Sequence, residues 1–110
     1  MDAKNISLLK KLNDCAFACQ QCIDGCLKEK DVKMMSDCIR LDIDCAQICT
    51  TVAGFLGRNS LHAQHLLHEC AEICTACATE CEKHAHMDHC KKCAAACRQC
   101  AEACKELELA

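Results

Sequence analysis

The sequence predicts an all-α fold, an antiparallel up-down-up-down four-helix bundle with a Cys-lined core. Its cysteines recur in steps of three and four residues, the spacing of one face of an α-helix. Three short interruptions of this pattern separate four helical segments, and such short connections make consecutive helices antiparallel. A length of 110 residues predicts one domain, residues 1–110.

The capping residues place the three connections. Asp31 is predicted to cap the second helix, Gly57 to follow its last turn, and Asn59 or Ser60 to cap the third helix. A third interruption falls at residues 84–88. The predicted helices lie near residues 5–29, 32–56, 60–83 and 87–107.

Cysteine replaces the usual large core residues. The chain has 16 Cys but only 2 Phe and no Trp or Tyr, and a protonated thiol packs as a small hydrophobe. The second helix carries three cysteines, with Leu41 predicted to fill the gap in its stripe. Asp42 and Asp44 are predicted to be solvated, with contact at the rim of the stripe as the alternative for Asp42. The candidate metal ligands are Cys15, Cys19, Cys22, Cys26, Cys38, Cys45, Cys49, Cys70, Cys74, Cys77, Cys81, Cys90, Cys93, Cys97, Cys100 and Cys104.

The two ends of the predicted bundle differ. At the end that holds the termini the stripes continue as aliphatic residues, which predicts a closed, dry end: Leu8, Leu12, Val52, Leu56, Leu66 or Leu67, and Leu107. At the other end they continue as Met34, His84, and His86 or Met87, with Met35 and His89 close by. These soft metal ligands predict an entry site made of Met34, His84, His86, Met87 and His89. Histidines in a turn between helices are also commonly plain surface groups. His62, His65 and His68 are predicted to lie on the surface.

A continuous stripe of thiols is suited to Cu(I). This soft ion accepts two or three thiolates, and one Cu(I) per thiolate leaves the buried core neutral. The expected capacity is on the order of one Cu(I) per cysteine. Neighbouring cysteines on a helix are too far apart for disulfides, and the regular spacing is unlike that of a ferredoxin or of a closed zinc site. Sixteen equivalent thiols argue against a catalytic cysteine, so no enzyme is expected. A zinc-buffering or thiol redox protein remains the alternative.

The remaining composition excludes other classes. The net charge of -3 and the scarcity of aromatic residues argue against nucleic-acid binding, and no apolar stretch is long enough for a membrane span. The N-terminus opens no signal peptide, so a cytoplasmic protein with reduced thiols is expected.

The chain resembles the bacterial copper storage proteins, in particular their cytosolic branch. Three stretches carry the resemblance: CIRLDIDCAQIC at 38–49, CAEICTACATEC at 70–81 and HAHMDHC at 84–90. The resemblance implies a four-helix bundle that holds many Cu(I) ions, admits them at the His/Met end and assembles as a homotetramer. A copper chaperone is the implied kind of delivery partner.

Overall fold

The computed structural model describes residues 1–109, and within them four α-helices form an elongated bundle with extents of 44 × 19 × 18 Å. α1 packs against α2 and α4, and α3 packs against the same two helices, so α1 and α3 occupy opposite corners. The predicted all-α, up-down-up-down fold is therefore confirmed. The helices are α1 (Ala3–Leu27), α2 (Ser36–Gly57), α3 (Ala63–Glu82) and α4 (Asp88–Leu109), with a 3₁₀ helix (Val32–Met35) before α2.

The first connection contains a helical turn that the cysteine pattern does not reveal. Asp31 caps as predicted, because its side chain accepts a hydrogen bond from the Met34 amide at 3.2 Å. It caps the 3₁₀ helix, however, and α2 begins only at Ser36. The 3₁₀ helix turns Met35 into the core, where its side chain is fully buried.

The second connection differs from the prediction at its glycine. Gly57 is the last residue of α2, and Asn59 instead takes the left-handed conformation, with φ of 56°. The Ser60 amide donates to the Phe55 carbonyl and the Asn59 amide to the Leu56 carbonyl, which together form a Schellman motif. Asn tolerates this conformation better than most residues. Neither predicted residue caps α3, whose N-cap is His62; the Ser60 hydroxyl accepts from the His62 amide.

The core follows the cysteine stripes from one end to the other. All sixteen cysteines are buried with no exposed surface, which confirms the stripe prediction. Below them the closed end is filled by aliphatic side chains, and Leu67 rather than Leu66 is the fully packed residue of α3 there. Leu107 is partly buried against the same cluster. None of the described helices is long and apolar enough to cross a membrane.

Candidate metal centre

The thiols form a continuous network through the middle of the bundle. Sulfur atoms of different helices lie 3.6–4.0 Å apart, as between Cys45 and Cys74 (3.6 Å) and between Cys15 and Cys97 (3.7 Å). All sixteen cysteines are free thiols. A distance of 3.6 Å is far longer than a disulfide bond of about 2.05 Å. The network is therefore held by packing and weak S–H hydrogen bonds, and no disulfide has to be reduced before metal can bind.

Groups of four ligand atoms within this network lie within 4.8 Å of one another. Two metal–sulfur bonds of about 2.3 Å, the zinc–thiolate length, span about 4.6 Å, so these groups match the dimensions of thiolate coordination. Neighbouring groups also share members, so one sulfur can bridge two ions. Three all-thiol groups follow one another in the middle of the bundle: Cys15, Cys49, Cys74 and Cys100; Cys15, Cys19, Cys45 and Cys97; Cys19, Cys77, Cys93 and Cys97.

Asp42 lies inside the thiol network, which contradicts the prediction that it is solvated. Its side chain has no exposed surface, whereas Leu41, predicted to fill the gap in the α2 stripe, is only partly buried. Asp44 is exposed, as predicted. Among residues 1–109, Asp42 is the one polar or charged residue in the buried core.

Thiols surround the Asp42 carboxyl on three helices. Cys77 donates to Oδ1 at 3.2 Å, Cys93 donates to Oδ1 at 3.3 Å, and Cys38 donates to Oδ2 at 3.8 Å. Burial, followed by the neighbouring Cys93 and Cys77, raises the pKa of Asp42 to about 11. The carboxyl is therefore neutral at physiological pH, which avoids the large cost of an unpaired buried charge.

A signal for Asp42 is present in the sequence. On α1 and α3 the cysteines are spaced four, three and four residues apart. The same steps along α2 run from Cys38 through Asp42 to Cys45 and Cys49, so Asp42 occupies a position that holds cysteine on both α1 and α3. Hydrophobicity alone favours Leu41, because a carboxylate is among the residues least often buried.

His89 closes the thiol network at the end opposite the leucines. Its Nδ1 lies 3.5 Å from the sulfur of Cys90, 3.6 Å from that of Cys22 and 4.0 Å from that of Cys26. These four residues form a further ligand group within 4.8 Å. Cys22 also belongs to a group with Cys38, Cys81 and an oxygen of Asp42, so the His89 group is linked to the rest of the network. Of the five predicted entry residues, His89 alone forms hydrogen-bond contacts with the thiols in the described part of the chain.

The other predicted entry residues surround His89 at different depths. His84 is half-buried and its Nε2 lies 3.2 Å from a carboxylate oxygen of Glu80. Met87 packs partly against the core, and His86 is exposed. Met34, predicted to continue the α2 stripe, is 53% exposed; Met35 takes that core position because of the intervening 3₁₀ helix.

The three surface histidines at the other end of α3 stay outside the network. His62, His65 and His68 are exposed or half-exposed at the surface, as predicted. His68 Nδ1 lies 2.9 Å from a carboxylate oxygen of Glu108 on α4.

Comparison with known families agrees with this geometry. The family model described as "Copper storage protein" matches residues 1–109, almost the whole chain. The chain belongs to the copper storage protein family.

Solved structures and a curated relative support this membership. A cytosolic copper storage protein from Streptomyces lividans, loaded with five coppers, is 40% identical and superposes with a TM-score of 0.93 over 97% of this chain and 93% of that one. The Cu(I)-bound copper storage protein BsCsp3 is 40% identical, with a TM-score of 0.90 over 96% of this chain and 98% of that one. The cysteine-rich protein YhjQ of Bacillus subtilis (strain 168) is 45% identical over 83 residues, 76% of either chain.

Burial favours the protonated form of the thiols that lie nearest His89 in this copper storage protein. Burial raises the pKa of Cys90 to about 12, and burial together with Cys38 and Cys90 raises the pKa of Cys26. Thiols that keep their protons add no charge to the interior, so they can pack without metal. Each thiol must then lose its proton when it becomes a metal ligand.

Proposed function

We propose that this chain stores Cu(I) by binding many ions to the sixteen thiols of its core. The observation that carries this proposal is the overlap of the ligand groups: Cys15, Cys19 and Cys97 each belong to more than one. Bridging thiolates allow ions to occupy neighbouring groups, whereas isolated sites would leave most thiols unused. Storage thus follows from a continuous array rather than from one strong site.

Charge neutrality sets the stoichiometry of the array. A thiol that binds Cu(I) releases H⁺, so one monovalent ion replaces one proton and the buried core stays neutral. A divalent ion such as Zn²⁺ held by four thiolates would leave two negative charges per site in the same interior. The core therefore favours a monovalent soft metal over zinc at high loading.

Asp42 gives the array one oxygen-bearing side chain among its sulfurs. With its carboxyl neutral, it can accept hydrogen bonds from the thiols of Cys77 and Cys93 in the metal-free protein and donate one to a thiolate after loading. We assign it a role in arranging the thiols of α2, α3 and α4 around the first ions bound there.

Ions pass in and out at the His89 end, since the opposite end is packed with leucine and valine. His89 contacts the outermost thiols and is the last of the entry residues that an incoming ion meets before the thiol network. Met34, His84, His86 and Met87 lie around it and supply further soft or borderline ligands from the surface inward. Replacing Met34, His84, His86, Met87 and His89 together should slow uptake and leave the final capacity unchanged.

Anaerobic titration of the reduced protein against a Cu(I)-specific chelator tests the storage proposal. The expected capacity is on the order of one Cu(I) per cysteine, about sixteen per chain. A variant with Cys15, Cys19 and Cys97 changed to Ser should lose more than its share of ions, because it interrupts three overlapping groups. Saturation after only a few equivalents, or a preference for Zn²⁺ in competition, would contradict storage and favour zinc buffering. Reversible disulfides between helices in the isolated protein would favour a redox role.

A relative from Streptomyces lividans is described as cytosolic. We propose that the chain acts in the cytosol, has no catalytic role, receives copper from a copper chaperone and assembles as a homotetramer. Light scattering coupled to size-exclusion chromatography measures the assembly directly, and a monomer at physiological concentration would contradict it.

A further inference from the structure

Gly25 lies at a position where the backbone conformation does not require glycine. It lies inside α1 between Cys22 and Cys26, and no glycine of residues 1–109 has a positive φ. Glycine inside a helix is less stable than alanine, because it loses more backbone freedom on folding. A reason for Gly25 must therefore come from its neighbours.

That neighbour is the imidazole of His89. A Cβ atom built on Gly25 would lie 2.5 Å from Cγ, 2.6 Å from Cδ2 and 2.9 Å from Nδ1 of the ring. Any side chain at this position would displace the ring. The other glycines differ: a Cβ on Gly54 meets only the flexible tip of Arg58, at 3.2 Å, and a Cβ on Gly57 meets nothing within 4 Å.

The two nitrogen atoms of the His89 ring have different surroundings. Nδ1 faces the sulfurs of Cys22, Cys26 and Cys90. Nε2 is buried and has no hydrogen-bond partner, and a carboxylate oxygen of Glu29 lies 3.9 Å from it. A movement of about 1 Å would bring these two atoms to hydrogen-bond distance.

The position of Glu29 is not explained by the helix either. It follows the C-terminus of α1, where the helix dipole disfavours a negative charge. It is only partly exposed, with 32% of its side-chain surface accessible. Its carboxylate faces the buried nitrogen of His89 instead of pointing fully into solvent.

We propose that Gly25 and Glu29 are positioning residues that seat His89 as the outermost Cu(I) ligand. Gly25 leaves the space that the ring occupies, and Glu29 accepts the Nε2 hydrogen once the gap of 3.9 Å closes by about 1 Å. That bond fixes the tautomer in which Nδ1 is unprotonated and directs its lone pair toward the three sulfurs. Carboxylates hold metal-binding histidines in this way in many proteins. The inference rests on the proposed entry of Cu(I) at this end of the bundle.

The first test measures Cu(I) transfer from a chelator complex by stopped flow in Gly25→Ala, with Gly57→Ala as the matched control. Gly25→Ala should slow the first phase as much as His89→Ala does, and Gly57→Ala should leave it unchanged. The double variant Gly25→Ala/His89→Ala should be no slower than His89→Ala alone, because Gly25 acts through the ring. Wild-type uptake in Gly25→Ala, or an additive loss in the double variant, would overturn the role of Gly25.

The second test reads the tautomer of His89 in the metal-free protein by ¹⁵N NMR. The wild type should show unprotonated Nδ1, and Glu29→Ala should shift the ring toward the Nδ1-protonated form and weaken the outermost site roughly 10–100-fold. Glu29→Gln keeps an acceptor oxygen and should restore the tautomer in part. Asp24→Ala removes an equal charge from an exposed position near the end of α1 and serves as the control. An unchanged tautomer in Glu29→Ala would overturn the role of Glu29.

The two tests separate this inference from storage itself. The tautomer is measured without copper, and total capacity is measured on the same samples. A protein of low capacity with the expected tautomer would contradict storage alone. Full capacity, together with unchanged uptake in Gly25→Ala and an unchanged tautomer in Glu29→Ala, would contradict the positioning roles alone.

Discussion

The thiol of Cys77 on α3 donates a hydrogen bond to Oδ1 of Asp42 on α2 over 3.2 Å. This contact places a carboxyl oxygen in a core otherwise made of sulfur and hydrocarbon. Because Asp42 has no exposed surface, its carboxyl is held neutral by the same burial that packs the thiols. The buried carboxyl therefore adds no charge to the metal-free core.

The protonated Asp42 should make the metal-free protein less stable as pH rises. Its folded pKa of about 11 lies above the unfolded value of about 3.9, so between these values the folded state binds one more proton. The free energy of unfolding should fall by up to about 1.4 kcal/mol per pH unit from this group. Asp42→Asn should remove that contribution, as measured by urea denaturation of reduced protein between about pH 5 and 7.5.

The comparison of wild type and variant isolates Asp42, because every pH-dependent contribution that the two proteins share cancels. The Asp42→Asn variant should gain stability over the wild type steadily as pH rises. A constant difference across this range would mean that Asp42 is ionised in the folded protein, and the neutral core would then be wrong.

Asp42 also occupies a cysteine position of the stripe, so Asp42→Cys should extend the thiol array. The new sulfur would lie beside Cys77 and Cys93, at the site where the carboxyl now contacts both. We expect the Cu(I) capacity to rise by about one ion per chain, because charge balance allows one ion per added thiolate. Chelator-competed titration measures this, with Leu41→Cys, a neighbouring and only partly buried position, as the control. An equal gain in both variants would show that position on the stripe does not matter.

The fold can be predicted well from the sequence because the cysteines and leucines of the core recur with the period of a helix. Cysteines such as Cys70, Cys74, Cys77 and Cys81 recur with the period of a helix, and one face of each helix can be identified without knowing its neighbours. The leucines of the closed end obey the same rule. The prediction that all sixteen cysteines lie in the core is therefore confirmed.

Three features were not predicted from the sequence. Two of them depend on contacts between helices, and the third depends on a local turn. The burial of Asp42 is tolerable only because thiols from α3 and α4 surround it, and a periodicity rule that ranks residues by hydrophobicity chooses Leu41. The space above Gly25 has meaning only when His89 fills it from another helix. The 3₁₀ helix exchanges the roles of Met34 and Met35, because one tighter turn rotates the next side chain into the core.

The aliphatic end should contribute stability without contributing to metal uptake. Leu12→Ala removes a side chain with 0% exposure next to the thiol array and should destabilise the metal-free protein by about 2–5 kcal/mol. Urea denaturation in the presence of reductant measures this loss. Leu61→Ala, at a position 90% exposed, should change stability by less than about 0.5 kcal/mol. The initial rate of Cu(I) uptake in Leu12→Ala should equal that of the wild type, and faster uptake would reveal a second route through this end.

Copper loading should release protons in step with the ions bound. Since burial raises the pKa of Cys90 to about 12 and raises the pKa of Cys26, these thiols are protonated at about pH 7.5 and each must lose a proton when it binds Cu(I). We expect about one proton per ion near saturation, and the affinity of a site with two such thiols should rise roughly 100-fold per pH unit.

A pH-stat titration with a Cu(I) complex that itself binds no protons measures this release. Asp42→Asn should release as many protons as the wild type, because a neutral carboxyl contributes none to the exchange. Release of far less than one proton per ion would mean that the thiols are already ionised before loading. In that case copper binding would relieve repulsion among buried thiolates instead of displacing protons.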